Sequence, residues 1–226
     1  MTTLNTPKSL FRSARLIYRA IENNDADKAF IQQHIQNDSF GQAMSNPTLT
    51  RPRPQKDAGE FIQHLQHSSL LAVIICLPPS ESCTEKGADA LRKPIPIGQL
   101  SIINTWGKFA AHHRNATLGI SLAEEYRGKG YGTEAVNWAL DWAFQYAGLH
   151  RFVLDVAAFN EDAVKLYRKL GFVEEGRRRE VLYHLRQWHD MIDFAMLEHE
   201  WEALRGVKRG GKCATPAVVD EECTYF

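Results

Sequence analysis

Apolar residues along the chain fall into short runs broken by polar and proline-rich turns, and the spacing within each run separates strands from helices. Leu16-Ile17-Tyr18-Arg19-Ala20-Ile21 predicts a first strand. Asp25 stands where it could cap a helix running through Phe30, Ile31 and His34-Ile35. Residues 45–56 carry three prolines and no periodicity, so a loop is expected there. Asp57 opens a second expected helix, with Phe61, Ile62 and Leu65 on one side, and the unbroken apolar run from Leu70 to Leu77 predicts a buried strand. Residues 78–94, rich in Pro, Ser, Glu and Lys, predict an inserted surface loop between two hairpin strands, the second running from Ile95 to Asn104.

A polar turn with Gly107, His112 and His113 leads to a strand over 117–122, and a turn at 123–130 leads to a helix from about Tyr131 to Ala147. In that helix Val136, Ala139, Leu140 and Ala143 recur at helical spacing, with Trp138 and Trp142 beside them, and Gly148 ends it. Residues 152–156 predict a strand. Asn160 begins a short helix with Ala163, Leu166, Tyr167 and Leu170 on one face, and Gly171 stops it. Residues 172–174 and Met191 to Leu197 are the last expected strands. This order predicts an α/β (α+β) fold: a mixed, mostly antiparallel sheet with helices on both sides. The strand–helix–strand unit over 117–156 puts two strands parallel.

Composition narrows the function. The 226 residues fit one decorated domain, with a flexible N-terminal extension over 1–13, a folded region over 14–204 and a disordered tail over 205–226. A formal net charge of zero argues against a general electrostatic grip on nucleic acid, so no nucleic-acid partner is expected. No apolar run approaches the ~20 residues that span a bilayer, so no membrane partner is expected either. The basic, acid-free start at residues 1–15 faintly resembles a transit peptide, and the ending Cys-Thr-Tyr-Phe fits a prenylation box poorly at Tyr225. Cys76, Cys83, Cys213 and Cys223 have no metal-ligand spacing, so no metal is expected. A reduced, cytoplasmic chain is the simplest expectation.

The densest chemistry lies in Glu125-Tyr126-Arg127-Gly128-Lys129-Gly130-Tyr131-Gly132-Thr133, between an expected strand and an expected helix. A helix start leaves main-chain N–H groups unpaired and carries partial positive charge. Three glycines let the main chain approach an anion, Arg127 and Lys129 add full charges, and Thr133 offers a hydroxyl. The segment lacks the Gly-Lys-Ser/Thr ending of a P-loop and the Gly-x-Gly-x-x-Gly of a dinucleotide fold. Alone, it is equally a phosphate site and a tight turn with solvated charges.

The run from Leu118 through Arg127-Gly-Lys-Gly-Tyr-Gly-Thr133 to Ala135 resembles motif A of the GCN5-related N-acetyltransferases (GNAT). Asn160-Glu-Asp-Ala-Val-Lys-Leu-Tyr-Arg-Lys-Leu-Gly-Phe-Val-Glu-Glu-Gly176 resembles motif B. The first strand and Leu197-Glu-His-Glu-Trp201 resemble the branch holding the RimJ/RimL-type ribosomal-protein and spermidine acetyltransferases, so the resemblance covers about residues 14–204. It implies splayed central parallel strands and acetyl-CoA as co-substrate. The pyrophosphate would lie on Arg127, Gly128, Lys129, Gly130, Tyr131, Gly132 and Thr133. Main-chain groups of Ile120, Ser121 and Leu122 would pair with pantetheine, and Asn160 would contact the CoA arm while capping its helix.

Tyr167 is implied as the acid that protonates the leaving thiolate; packed among Ala163, Leu166 and Leu170 it is equally a core aromatic. The implied reaction is direct attack of a primary amine on the thioester in a ternary complex, with the Leu122 region polarising the carbonyl. Some relatives carry a Glu near the position of Thr117; here the base stays unassigned, with His112 and His113 as candidates. The acceptor is a polyamine such as spermidine or a protein N-terminus, and Glu22, Asp25 and Asp27 are candidate acids for a polyamine groove. A homodimer is compatible with the resemblance. The alternative from another class is a non-catalytic acyl-CoA-binding regulatory module.

Overall fold

A computed structural model describes residues 10–45, 47–79 and 93–207. Most of the expected extension, inserted loop and tail, with Cys83, Cys213 and Cys223, therefore lies outside the described residues.

The chain opens with β1 (Ile17–Ala20), α1 (Asp25–Phe30) and a π turn over Ile31–Gln36. The cap of α1 is Asn24 rather than Asp25: its side-chain oxygen accepts from the Asp27 amide at 2.9 Å. Helix α2 (Ser39–Ser45) has no counterpart in the hydrophobic pattern. Helix α3 (Gln55–Ser68) starts directly after Pro54, two residues before Asp57, and buries Ala58, Ile62 and Leu65. Strands β2 (Ser69–Leu77) and β3 (Ile95–Asn104) follow, then a 3₁₀ turn over Lys108–His113 and β4 (Asn115–Leu122).

Helix α4 (Tyr131–Asp141) passes into a π turn over Trp142–Tyr146. Strand β5 (Arg151–Ala157) and α5 (Glu161–Lys169) match expectation, including Asn160 as cap, whose oxygen accepts from the Ala163 amide at 3.2 Å. A long hairpin, β6 (Val173–His184) and β7 (Gln187–Leu197), ends in α6 (Glu198–Arg205). The expected strand at 172–174 is only the start of β6. Charged residues fill the rest of that exposed edge strand, and ion pairs such as Arg177–Asp190 and Arg178–Asp193 tie it to β7 in place of apolar contacts.

The seven strands form one sheet in the order β1-β2-β3-β4-β5-β7-β6. Every neighbouring pair is antiparallel except β4 and β5, as the strand–helix–strand unit requires. On one face α4 and α5 cover a core with Phe152, Phe194, Leu100 and Ile102 at 0–1% exposure. Each such side chain is worth about 1.5–3 kcal/mol of burial. On the other face α1 and α3 cover the β1–β3 end through Ile31, Ile62, Ile74 and Cys76. Residues 10–13 already belong to this structure: Trp138 donates its indole N–H to the Leu10 carbonyl at 2.9 Å and stacks on Tyr18 at 3.6 Å.

Candidate active site

The parallel pairing of β4 with β5 is short. Asn115, Ala116 and Thr117 pair with Arg151, Phe152 and Val153, and no pairing follows. Beyond that point β4 stays with β3 as far as Leu122, and β5 stays with β7 as far as Ala157. The two strands therefore diverge, and their facing edges keep N–H and C=O groups that the opposite strand does not pair. The Ala123 amide donates to the Ile97 carbonyl of β3 at 2.9 Å. Main-chain groups alternate in direction along a strand, so those of Leu122 and Ile120 point into the opening and those of Ser121 point to β3. Of the three residues expected to pair with pantetheine, Ile120 turns both main-chain groups to the opening and Leu122 its N–H, its carbonyl being taken by Arg127, while those of Ser121 face β3.

The glycine loop closes one end of the opening. Gly128 (φ +69°) and Gly130 (φ +79°) lie in the left-handed region, where a side chain is disfavoured. Gly130 is the cap of α4 and brings no side chain to bond the first amides of the helix. Those amides, from Tyr131 through Thr133, have no side-chain cap and form a cradle suited to an anion, backed by the helix dipole. The site thus fits a pyrophosphate by its main chain.

The two basic side chains of the loop part company. Lys129 holds its ammonium over the Tyr126 ring, 5.8 Å from the centroid. Arg127 turns inward: it pairs with Asp38 at the start of α2, and its Nε donates to the Leu122 carbonyl at 3.0 Å. Burial lowers its pKa. The expectation that Arg127 lends a free charge to the phosphate site is corrected by this pairing. Gly41 makes room for it, since a Cβ there would lie 2.4 Å from Arg127 Nη2.

A cation that the sequence reading missed takes the outer side of the loop. Arg15 donates through Nη1 to the Lys129 carbonyl at 3.2 Å and lies over the Tyr131 ring at 4.7 Å. Glu134, in the first turn of α4, holds it there by accepting from the Arg15 amide and from Nε, each at 2.7 Å. The partners are 119 residues apart, so no local pattern could have joined them.

At the other end, Asn160 donates its side-chain N–H to the Met44 carbonyl of α2 at 3.2 Å while capping α5. Helix α2 is thereby tied at one end to Arg127 in the loop after β4 and at the other to Asn160 in the turn after β5, and it packs on both strands. Tyr167 is buried at 8% exposure against Phe172 and Phe194, with ring centroids 5.7 and 6.2 Å away. Burial, with Asp155 adding to it, raises its phenol to about 12. Its hydroxyl has no hydrogen-bond partner among the described residues. Tyr167 is therefore both a core aromatic and a neutral donor with a free proton.

On the sheet face left open beyond α3 there is a cavity of about 760 Å³, lined by Asn115, Thr117, Asp155, Arg178, Asp193 and Phe194 among others. Phe194 is shared between this cavity and Tyr167. Thr117 spends its hydroxyl on Thr105 at 3.0 Å. His112 and His113 are exposed, lie with ring centroids 3.9 Å apart and planes tilted by 41°, and do not line the cavity. Of the candidate groove acids, Asp27 is buried at 2% exposure, bound by Arg19 Nη1 and Nη2 at 2.8 and 2.5 Å. Glu22 accepts from the Asn24 side chain at 2.9 Å, and Asp25 faces solvent. The acids of the cavity are Asp155, Glu175 and Asp193 instead.

A family model described as an acetyltransferase (GNAT) domain matches residues 15–173, well over half of the chain. The chain is similar to the spermidine N(1)-acetyltransferase of Vibrio cholerae, 37% identical over 89 residues that make up 39% of this chain and 51% of that one. It is similar to the spermidine N(1)-acetyltransferase of Escherichia coli K12 at 35% over 91 residues, 40% and 49% of the two chains. It thus spans about half the length of these curated relatives. A solved structure of spermidine N-acetyltransferase from Vibrio cholerae in complex with CoA and spermine has the same fold, with a TM-score of 0.65, 24% identity, and 84% of this chain and 99% of that one covered. A dodecameric structure of the same enzyme in an intermediate state gives a TM-score of 0.60 at 27% identity, covering 84% and 97%. The strand divergence, the glycine loop and the family model agree: the chain belongs to the GNAT acetyltransferase family.

Proposed function

We propose that the chain is an N-acetyltransferase that moves the acetyl group of acetyl-CoA to a primary amine. The observation that carries it is the divergence of β4 from β5, with free main-chain edges between the α4 cradle and Tyr167. The acetyl thioester supplies an activated carbonyl; the rest is positioning by the protein. The amides of the loop and the first turn of α4, over 128–133, hold the pyrophosphate. Ile120 pairs with the amide groups of pantetheine, and Leu122, whose carbonyl is taken by Arg127, uses its N–H to polarise the thioester carbonyl. A neutral acceptor amine attacks from the cavity side; the N–C bond forms as a tetrahedral oxyanion, the surplus proton on nitrogen passes to solvent, and collapse of the oxyanion breaks the C–S bond. Tyr167 gives its proton to the departing thiolate, a step suited to a phenol that stays protonated at neutral pH.

The acetyltransferase domain runs over residues 14–204 and works in the cytoplasm. The acceptor is a polyamine such as spermidine or a protein N-terminus, and the facing Asp155 and Asp193 of the cavity favour the polyamine. The dodecameric relative supports a homo-oligomer, measurable by light scattering.

The test is thiol release from acetyl-CoA with spermidine, spermine, N-terminal peptides and small aminated metabolites, the product identified by mass spectrometry. Acetylation of a polyamine at the highest kcat/KM is expected. Tight CoA binding with no turnover on any amine would replace this reading by a non-catalytic acyl-CoA-binding module.

A further inference from the structure

We propose that Asp155 and Asp193 form a cation site for the acceptor, taking an ammonium group other than the one acetylated, and that the Arg178 guanidinium fills this site when no acceptor is bound. The proposal deepens the acetyltransferase reading above and rests on it for the position of the acceptor.

Asp155 of β5 and Asp193 of β7 are direct partners across an antiparallel pair. Like charges placed opposite each other on one face repel, so the arrangement demands a cation between them. Arg178 supplies it from β6. Its Nη2 donates to Asp155 Oδ2 at 3.0 Å and to Asp193 Oδ1 at 2.6 Å, and its Nε donates to Asp193 Oδ2 at 3.2 Å. The geometry is that of a bound guanidinium ligand, except that the ligand is part of the chain.

The occupant is exchangeable. The side chains of Arg178, Asp155 and Asp193 are 49%, 47% and 40% exposed, and ion pairs so open to water are weak. Arg178 also stands where the pairing of β6 with β7 slips, between Arg178 and Leu182, beside Glu180 in the left-handed region at φ +52°. A side chain at such an irregularity swings out without breaking a regular ladder.

The place is the acceptor's side of the reaction. Asp155 lies in the part of β5 that has parted from β4, and both acids line the cavity that shares Phe194 with Tyr167. A second feature of the same cavity also asks for a donor. Asn115 is 8% exposed, and its Oδ1 is a buried acceptor with no hydrogen-bond partner among the described residues. Buried polar atoms are seldom left so, and an ammonium or amine N–H of a ligand would satisfy this one. Trp106 adds an aromatic wall suited to an alkylammonium chain. The other arginine of the cavity, Arg151, is engaged with Glu175 and leaves the aspartates free for the ligand. The matching acceptor is an aliphatic amine with at least two cationic nitrogens.

The test compares spermidine with a monoamine of the same chain length, using the full chain with acetyl-CoA for kinetics and with CoA for calorimetry. Arg178→Ala removes the competing cation: the KM for spermidine is expected to fall several-fold and its calorimetric Kd with it, while the monoamine KM stays put. Arg178→Lys keeps a cation but loses the fork that holds both aspartates, so its spermidine KM is expected to fall less than that of Arg178→Ala. Asp193→Asn, and separately Asp155→Asn, are expected to raise the spermidine KM by about tenfold with a much smaller change in kcat. A higher spermidine KM in Arg178→Ala, equal shifts for both amines, or no shift in either aspartate variant would overturn the proposal. If the parent protein acetylates no amine, the acetyltransferase reading fails by itself, and spermidine calorimetry on the same variants still decides the cation site.

Discussion

Arg127 is bound to Asp38, across the 89 positions that separate the glycine loop from the start of α2, and its Nε also donates to the Leu122 carbonyl at 3.0 Å. The side chains are 28% and 10% exposed, so this pair is better shielded than a surface bridge. We therefore expect Arg127→Ala and Asp38→Ala each to lower stability by about 1–2 kcal/mol. The double variant should lose scarcely more than either single one. A double-mutant cycle by urea unfolding checks this; strictly additive losses would mean that the two side chains do not act as a pair.

Glu134 fastens the N-terminal segment to α4, and its charge state should govern how well. Burial pushes its carboxyl up, but hydrogen bonds from Ser13 Oγ and from the amide and side chain of Arg15 outweigh that and hold it below the ordinary glutamate value of 4.5. A carboxyl depressed in the folded state stabilises fully above its unfolded pKa, and the benefit fades as pH falls through the folded one. Glu134→Gln should thus cost about 1 kcal/mol at pH 7, with the gap to the parent narrowing below about pH 4.5. Urea melts at pH 7 and pH 3.5 measure the gap; an equal gap at both would remove the carboxylate charge from the account.

How far the fold could be read from the sequence depended on whether each element's cause is local. Helix α5 announced itself because Asn160, the apolar positions through Leu170, and Gly171 all lie within one short stretch. The buried runs of β2 and β3 were equally plain. Helix α2 was not: only Gln42 is buried in it, and it is held by Asp38 to Arg127 and by Met44 to Asn160, partners far along the chain. Most of β6 beyond Glu174 went unread for a related reason, since an exposed edge strand carries no alternating pattern, whereas the Met191–Leu197 part of β7 was legible. In the site, the loop and Tyr167 were legible as motifs. Arg15, the inward turn of Arg127, and the Asp155–Asp193 pair were not, because each depends on strands or segments brought together only by folding.

Asp27 shows the same limit from the other direction. It was a candidate for a polyamine groove, but it lies at 2% exposure, bound by Arg19 and accepting from the Glu22 amide at 2.9 Å. Removing one partner of a buried pair leaves the other charge uncompensated, which costs about 3 kcal/mol or more. Asp27→Ala should therefore lower the melting temperature strongly, while the variant that remains folded keeps the parent's preference among amines. A changed ratio of kcat/KM for spermidine over a monoamine would return Asp27 to the acceptor site.

Tyr167 is the proposed acid, and its surroundings separate that role from packing. The ring is fixed by Phe172 and Phe194, and phenylalanine keeps those contacts. The hydroxyl has no protein partner among the described residues, so Tyr167→Phe breaks no hydrogen bond and should leave stability and CoA affinity near the parent values. Loss of a positioned acid lowers kcat by about 100-fold or more. With the phenol raised to about 12, Tyr167 stays protonated through the usual assay range, so any alkaline limb at lower pH belongs to another group and should persist in the variant. Single-turnover thiol release and CoA calorimetry on Tyr167→Phe separate these effects. An unchanged rate would leave Tyr167 as packing alone, and a collapse of CoA affinity would make it part of the binding surface.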